Sequence, residues 1–545
     1  MISIIEILVA LFGILIFGNL ALSTSSYKKA FLAFNVLMLL TLAGADGYLL
    51  YTNTISSSLN LISINPFSLF FMLIFTVGVL LVDILAFQNL ENYGNFALLS
   101  SFALMGMYSV SFAQSLITIF LGLELAAIPV VFIVLLQKRA LEASTKLFIM
   151  VSIAIAILSF AIVLFYGSSD SLALSGYPQT SLLAFIAVLF VASLGFEASI
   201  FPFNILVPDI YQGAPGHVTA LLGGISKKVG FAALLQVVIL LFITYSFLFT
   251  VIAAFAVLTM FFGNIAALAQ YNVKRMLAYS SISQAGYILI GLATASALGV
   301  SASMFQIFAH MLLFIGALAI ISWMEGHNRK SIDDFVGLNN ENRLAAFSLS
   351  LFMLSFIGLP FTTGFVGKFL LFTSAISANL TWLAIVGIVN TVISIYYYIK
   401  VILAMYATKV GAKEIKMQKS VSAVVLLCLI GTIMLGVVPQ FMIQATDNAG
   451  AFLTSHPYAN VASGNVVAQN NSTAYNNTSR ISTITIVATQ NVTIIPRTNS
   501  SSTVPAVSTL TTASTTSSVS SVPTSASTTT ILKVTVTIHV LPESG

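Results

Sequence analysis

The chain has 545 residues, of which 58% are hydrophobic and only 7% charged, with a formal charge of +5. A soluble domain carries roughly 25% charged residues, so the composition excludes a soluble enzyme or a nucleic-acid binder and indicates a polytopic membrane protein. The single cysteine, Cys428, excludes internal disulfides and cysteine-held clusters, and of five histidines only His310 falls in an apolar run, which leaves a buried haem without two axial ligands.

In chain order, the opening MISIIEILVA lacks a basic n-region and a small-residue cleavage site, so the first span is read as retained. Apolar runs of about 20 residues then recur, each long enough to cross a bilayer as a helix. About fourteen are expected, at 4–22, 30–52, 66–87, 97–112, 115–136, 146–168, 182–206, 218–244, 246–270, 276–297, 302–323, 346–378, 381–406 and 420–442. Alternate loops collect the cations: Lys28 and Lys29; Lys138 and Arg139; Lys274 and Arg275; Arg329, Lys330 and Arg343; Lys409, Lys413, Lys416 and Lys419. The intervening short loops carry none, so the basic loops are expected to be cytoplasmic and both termini outside.

From about Ser455 the chain becomes Ser/Thr/Val-rich, as in STLTTASTTSSVSSVPTSASTTT, with almost no charge. Asn470, Asn471, Asn476, Asn477, Asn491 and Asn499 each begin an N-x-[ST] sequon. Such a segment reads as a glycosylated stalk or a disordered tail on the outer face, with some strand character at ILKVTVTIHVL.

A charge near the bilayer centre costs about 2.5–3.5 kcal/mol on insertion scales, so charges inside apolar runs mark packed or wet interiors. Asp46, Asp83 and Lys400 lie towards span ends and are expected to reach the interface, and Lys146 stands near a span start. Lys227 and Lys228 are adjacent, about 100° apart on a helix, so they cannot face one cavity. Glu124, Glu197, Lys227 and Lys368 remain deep inside apolar runs. Acids and lysines spread over several helices suit a proton relay, in which each group exists in two protonation states; the plainer reading is a set of buried ion pairs that fix helix register. Pro202 and Pro360 interrupt the seventh and twelfth spans beside Glu197 and Lys368. A proline removes a helix hydrogen bond, so both spans are expected to be broken. The two spans cross in opposite senses, the pattern of inverted repeats around a transport pathway. The expected fold is all-α: a polytopic helix bundle with two inverted repeats, broken helices and a disordered C-terminal tail.

Six stretches, FLGLELAAIPV, LEASTKLFI, FPFNILVPDIYQGAPGHVTALLGGISKK, NIAALAQYNVKRMLAYSSISQAGYILIGL, GLPFTTGFVGKF and SIYYYIKVILAMY, carry a resemblance over residues 95 to 406. The sequence resembles the antiporter-like membrane subunits of respiratory complex I and its relatives, most closely the subunit N family of NADH-quinone oxidoreductase. The resemblance implies three N-terminal helices in 1–95, five-helix repeats at 96–245 and 246–406, a last helix in 407–445 and an external tail at 446–545. It also implies a proton path through Glu124, Lys146, Glu197, Lys227 and Lys368. Two positions depart from the family: Glu197 stands where a relay lysine is usual, and Gln284 where a histidine is frequent. Lys228 is an extra lysine, and His310 has no family role. Glu124 and Glu197 are expected to titrate as a coupled pair, with Lys146 or Lys227 as compensating cation.

The resemblance thus implies a proton-translocating membrane-arm subunit, and the external sequon-rich tail together with the missing transit peptide points to a prokaryotic cell membrane. Its partners would be other membrane-arm subunits and the lipid bilayer. This chain would hold no cofactor or metal; quinone, NADH or another donor, flavin and Fe–S clusters belong to partner subunits. Alternatives are a subunit of a multisubunit cation/proton antiporter or a membrane-bound hydrogenase and, remotely, a membrane-anchored glycosylated surface protein.

Overall fold

The computed structural model describes residues 4–23, 28–52, 56–58, 62–87, 93–137, 140–174, 181–243, 245–409 and 413–455. Contacts divide the chain into Met1–His456 and Pro457–Gly545. The first unit is the helical body; the sequons and the ILKVTVTIHVL segment lie outside the described residues, as do Lys138 and Arg139.

Helices α1 (Ile4–Ser23) and α2 (Lys28–Tyr51) lead to a short antiparallel pair, β1 (Ser56–Ser58) and β2 (Ile62–Ile64). Helix α3 (Pro66–Ala86) starts at a capping box, in which Asn65 and Ser68 satisfy each other's backbone N–H and Pro66 takes the first turn. Then come α4 (Tyr93–Ser111), α5 (Leu116–Leu135) and α6 (Leu141–Ser169). The next pass is split into α7 (Leu183–Ala198) and α8 (Val207–Gly213); α9 (Gly216–Leu221) runs through a π-helical turn, Leu222–Ser226, into α10 (Lys227–Phe242). After α11 (Ser246–Leu268), α12 (Val273–Ala293), α13 (Ala297–Glu325) and the small α14 (Leu338–Glu341), a second split pass forms α15 (Arg343–Ile357) and α16 (Thr363–Ser377). The helical body closes with α17 (Thr381–Tyr406), α18 (Lys419–Val437) and α19 (Gln440–Ser455).

Every apolar run expected from the sequence overlaps one helix or more, and among the described residues ten helical segments are long and apolar enough to cross a membrane by length and composition. The spans expected at 182–206 and 346–378 are broken. Helix α7 stops at Ala198, and the chain does not resume a helix until Val207; α15 stops at Ile357 and α16 starts at Thr363. At the far end, α19 runs past the tail boundary expected at 445. Met442, Ala445, Thr446, Ala449 and Leu453 are buried, and α19 packs on α3, α10 and α13.

Helix α13 is the axis of the bundle, packed by α9, α12, α15, α16, α18 and α19 and buried throughout its apolar window. A helix apolar on all sides can sit only in such a core or in lipid. By contrast, α6 and α17 expose Phe148, Phe160, Val163, Ile388 and Val392, the outward face of a bundle in a bilayer.

The basic loops meet one another. Val273 N donates to the Lys330 carbonyl, Arg329 and Lys409 both bind Glu341, and Lys274 pairs with Glu325. The loops without Lys or Arg meet likewise: Ser63 N donates to the Phe112 carbonyl and Leu116 N to that of Leu172. Alternate loops therefore gather at two ends of the bundle.

Candidate functional site

Both breaks end a helix against a lysine. A helix C-terminus leaves carbonyls without intrahelical donors and carries partial negative charge, so it attracts a cation. At the first break the Phe196 carbonyl accepts a bond of 3.3 Å from Lys227 Nζ. Glu197, next to last in α7, is 7% exposed. Helix α10 comes close because Gly230 has no side chain: a Cβ there would lie 2.6 Å from Ala198 N and 2.7 Å from Glu197 Cβ. Glu124, half-buried on α5, lies within Coulombic range of Glu197, as does Lys227. No ion pair within 4 Å joins these three among the described residues. Two acids and one base thus share a pocket of charge without a locked partner.

At the second break Gly358, with φ +102°, turns the chain out of α15 as no larger residue readily does. The freed carbonyls of Phe356 and Ile357 accept bonds from Lys368 Nζ at 2.8 and 3.1 Å. Thr391 Oγ1 lies at 3.4 Å, and the Tyr287 ring lies under the ammonium at 4.4 Å. Three acceptors meet the three ammonium donors. No carboxylate pairs with this lysine among the described residues.

A row of buried polar groups lies between the breaks. Lys228 has no hydrogen bond or ion pair among the described residues and sits within Coulombic range of His310 on α13, whereas Lys227 turns to α7. The adjacent lysines therefore address different sides, as their angular offset of about 100° allows. The His310 ring stacks on Phe314 at 5.2 Å, and neither of its nitrogens has a hydrogen-bond partner among the described residues. One turn away, Gln306 Nε2 donates to Gln284 Oε1 at 3.0 Å, and Gln284 Nε2 donates to the Phe356 carbonyl at 3.4 Å. That carbonyl is the one Lys368 binds. Glu197, Lys227, Lys228, His310, Gln306, Gln284 and Lys368 so form one buried row that ends at the two helix breaks.

Lys146 lies apart from the row. It sits near the start of α6, 28% exposed, and bonds Glu142 at 2.7 Å and Asp209 at 3.1 Å; Asp209 is bonded in turn by Arg275 at 2.6 Å. Its flexible stem carries the ammonium to the edge, so Lys227 is the cation beside the paired acids. Lys400 packs its ammonium over the Tyr271 ring at 4.9 Å, at the same end of the bundle.

Two expectations are corrected. Asp46 and Asp83 do not reach an interface: they are 0% and 1% exposed, because side chains of α2, α3 and α4 close over them. Lys274 is no plain loop cation but is 4% exposed, bound to Glu325 and to the Ala214 carbonyl at 2.6 Å. Pro129, inside α5, had not been singled out. It removes the donor that would meet the Leu125 carbonyl, next to Glu124, and its place five residues after that acid mirrors Pro202 after Glu197.

Residues 113–394 match the family described as NADH:quinone oxidoreductase/Mrp antiporter, TM. The chain is similar to NADH-quinone oxidoreductase subunit N 1 of Chloroherpeton thalassium, 33% identical over 413 residues, covering 72% of this chain and 86% of that protein. It is also similar to F(420)H(2) dehydrogenase subunit N of Methanosarcina mazei, 32% identical over 469 residues, 80% of this chain and 93% of that one. Among solved structures, a chain of respiratory complex I from Thermus thermophilus with bound aureothin superimposes with a TM-score of 0.71 at 27% identity, covering 81% of this chain and 99% of that chain.

Proposed function

The chain belongs to the NADH:quinone oxidoreductase/Mrp antiporter membrane family, and from that membership we propose that it is a proton-translocating membrane-arm subunit of a complex I-type oxidoreductase. Electron transfer in partner subunits drives proton export through this one. The observation that carries the reading is the buried row between the two helix breaks, where one acid, three lysines and a histidine lie in line with two glutamine amides.

Protons enter from the face of the basic loops, which is cytoplasmic, past the Glu142–Lys146–Asp209 edge to Glu124 and Glu197. Glu197 takes the part of a relay lysine with its charge reversed: a carboxylic acid carries a proton as well as an ammonium does. The proton passes to Lys227, along the axis by Lys228 and His310, and leaves by Lys368. The Lys368 cradle serves both charge states. The ammonium gives its three hydrogens to Phe356, Ile357 and Thr391, and the neutral amine can accept from the Thr391 hydroxyl instead.

The repeats are 96–245 and 246–406, each with one broken pass. The chain holds no redox group of its own; quinone, NADH or another donor, flavin and Fe–S clusters belong to its partners in the prokaryotic cell membrane. The test is donor-driven proton uptake in inverted membrane vesicles carrying Glu197→Gln or Glu197→Lys, normalised to electron transfer. Loss of uptake with Gln and recovery with Lys is expected. Uptake with Gln equal to that of the unmodified protein removes Glu197 from the path.

A further inference from the structure

Helices α1 to α4 hold two buried carboxylates that the row described above does not use. Asp83 accepts from Asn35 Nδ2 at 2.5 Å and from Ser100 Oγ at 3.1 Å. Asn35 Oδ1 accepts from Asn19 Nδ2 at 3.0 Å, and that same amide donates to Ser101 Oγ at 2.8 Å. Asp46 accepts from the Tyr108 hydroxyl and, at 3.4 Å, from Thr76 Oγ1, while Thr76 and Tyr108 share a bond of 2.7 Å. Neither acid has a Lys, Arg or His within ion-pairing distance among the described residues. An ionised carboxylate without a counter-charge is among the costliest groups to keep in a bilayer interior.

The placement is regular. Thr76 and Asp83 on α3 are seven residues apart, as are Ser101 and Tyr108 on α4; on α2, Asn35 and Asp46 are eleven apart. Seven and eleven residues return a helix to nearly the same face, so three helices carry both stations along one stripe, about 10 Å apart on α3 and α4 and about 16 Å apart on α2. The Asp83 station lies towards the basic-loop end and the Asp46 station towards the other. At each station a buried oxygen has no donor among the described residues: Asp46 Oδ1, and Asn19 Oδ1 beyond Asn35. Turning both amides over would present the Asn35 oxygen to a protonated Asp83 and the orphaned Asn19 oxygen to the Asn35 amide. The same side chains therefore serve the acid and its anion.

We propose that α1 to α4 form a second proton-conducting column, with Asp83 and Asp46 as its proton-holding stations, outside the two five-helix repeats. A proton taken up by Asp83 from the basic-loop end crosses to Asp46 along a short water chain and leaves at the opposite end. Tyr108 and Thr76 act as positioning residues there. Coupling to electron flow rests on the proton-translocating reading above; the protonation of the two acids does not.

Two measurements on the intact complex test this. Infrared difference spectra of the membranes between the resting and donor-energised states should show protonated-carboxyl C=O bands that shift in D2O, and Asp83→Asn and Asp46→Asn should each remove one. Asn keeps the acceptor oxygen and the volume, and Asp83→Glu, which keeps an acid, should retain its band. Proton uptake per electron in inverted vesicles should fall in both Asn variants, measured beside Lys368→Met. Lost bands with lowered uptake support the column. If neither variant loses a band, or if uptake per electron is unchanged while Lys368→Met lowers it, the column is overturned. If the Asp variants lower uptake and Lys368→Met does not, the column stands and the route through Lys368 falls.

Discussion

The two helix breaks solve one problem with opposite electrostatics. At each, a lysine reaches back to carbonyls that a terminated helix has left free: Lys227 to Phe196, Lys368 to Phe356 and Ile357. At the first break the ammonium also feels the Glu197 carboxylate, which in turn lies in range of Glu124, and has a second lysine next to it in the chain. At the second, among the described residues, there is no carboxylate, only carbonyls, a hydroxyl and the face of Tyr287. The helix terminus is the shared device. The counter-charge is the variable, and it sets how readily each lysine yields its proton.

The comparison breaks first at Lys368. Lys368→Met should lower coupled proton uptake in vesicles more than any other single change to the buried row, because among the described residues no other base sits at this break; uptake equal to wild type would end the proposed exit. Lys227→Met should cost less only in so far as the long stem of Lys228 can swing from its own side of α10 towards Glu197, and Lys227→Met with Lys228→Met should match the loss at Lys368. A single variant as damaging as the pair would deny any sharing between them.

Smaller effects are expected in stability. Glu341, 3% exposed at its side chain, ties Arg329 to Lys409 across the basic end. Burial pushes its carboxyl up, and the bonds from Arg329 and Lys409 more than offset this, so it sits below the usual glutamate range. A lowered folded value contributes stability that is present above the unfolded value and is lost as pH falls through the folded one. Acidification below the ordinary glutamate range should therefore lower the thermal midpoint of the solubilised protein, and Glu341→Gln should flatten that dependence. Its cost at neutral pH should fall between about 1 kcal/mol for an exposed pair and about 3–5 kcal/mol for a buried one. Gly230→Leu should cost about 1–3 kcal/mol by forcing α10 away from Glu197, read as a lower midpoint together with reduced uptake. A lower midpoint with full uptake would show that the close approach is structural only.

Much of this was legible in the sequence, for identifiable reasons. Apolar runs and the alternation of basic loops gave the helices and the two ends, and Pro202 and Pro360 marked both breaks because a missing N–H has few other remedies. Reading charges one at a time failed for Asp46 and Asp83. Distance from a span end does not report what neighbouring helices cover, and the signal lay in polar pairs seven or eleven residues apart on otherwise apolar helices. Lys146 took the snorkelling alternative that its place near a span start leaves open, with its ammonium held at the edge by Glu142 and Asp209. Links through backbone carbonyls, such as Gln284 and Lys368 meeting at Phe356, leave no mark in the residue types at all.

The cradle of Lys368 has a consequence for selectivity. Carbonyl and hydroxyl oxygens at a helix terminus are also what a free sodium or potassium ion would seek. Here a tethered ammonium already fills the position, and its positive charge repels any metal ion that approaches. If the proposed exit runs here, it needs no sizing filter: the only charge such a site can release is the one that leaves the amine behind, and the ion gradients on either side would find no leak there.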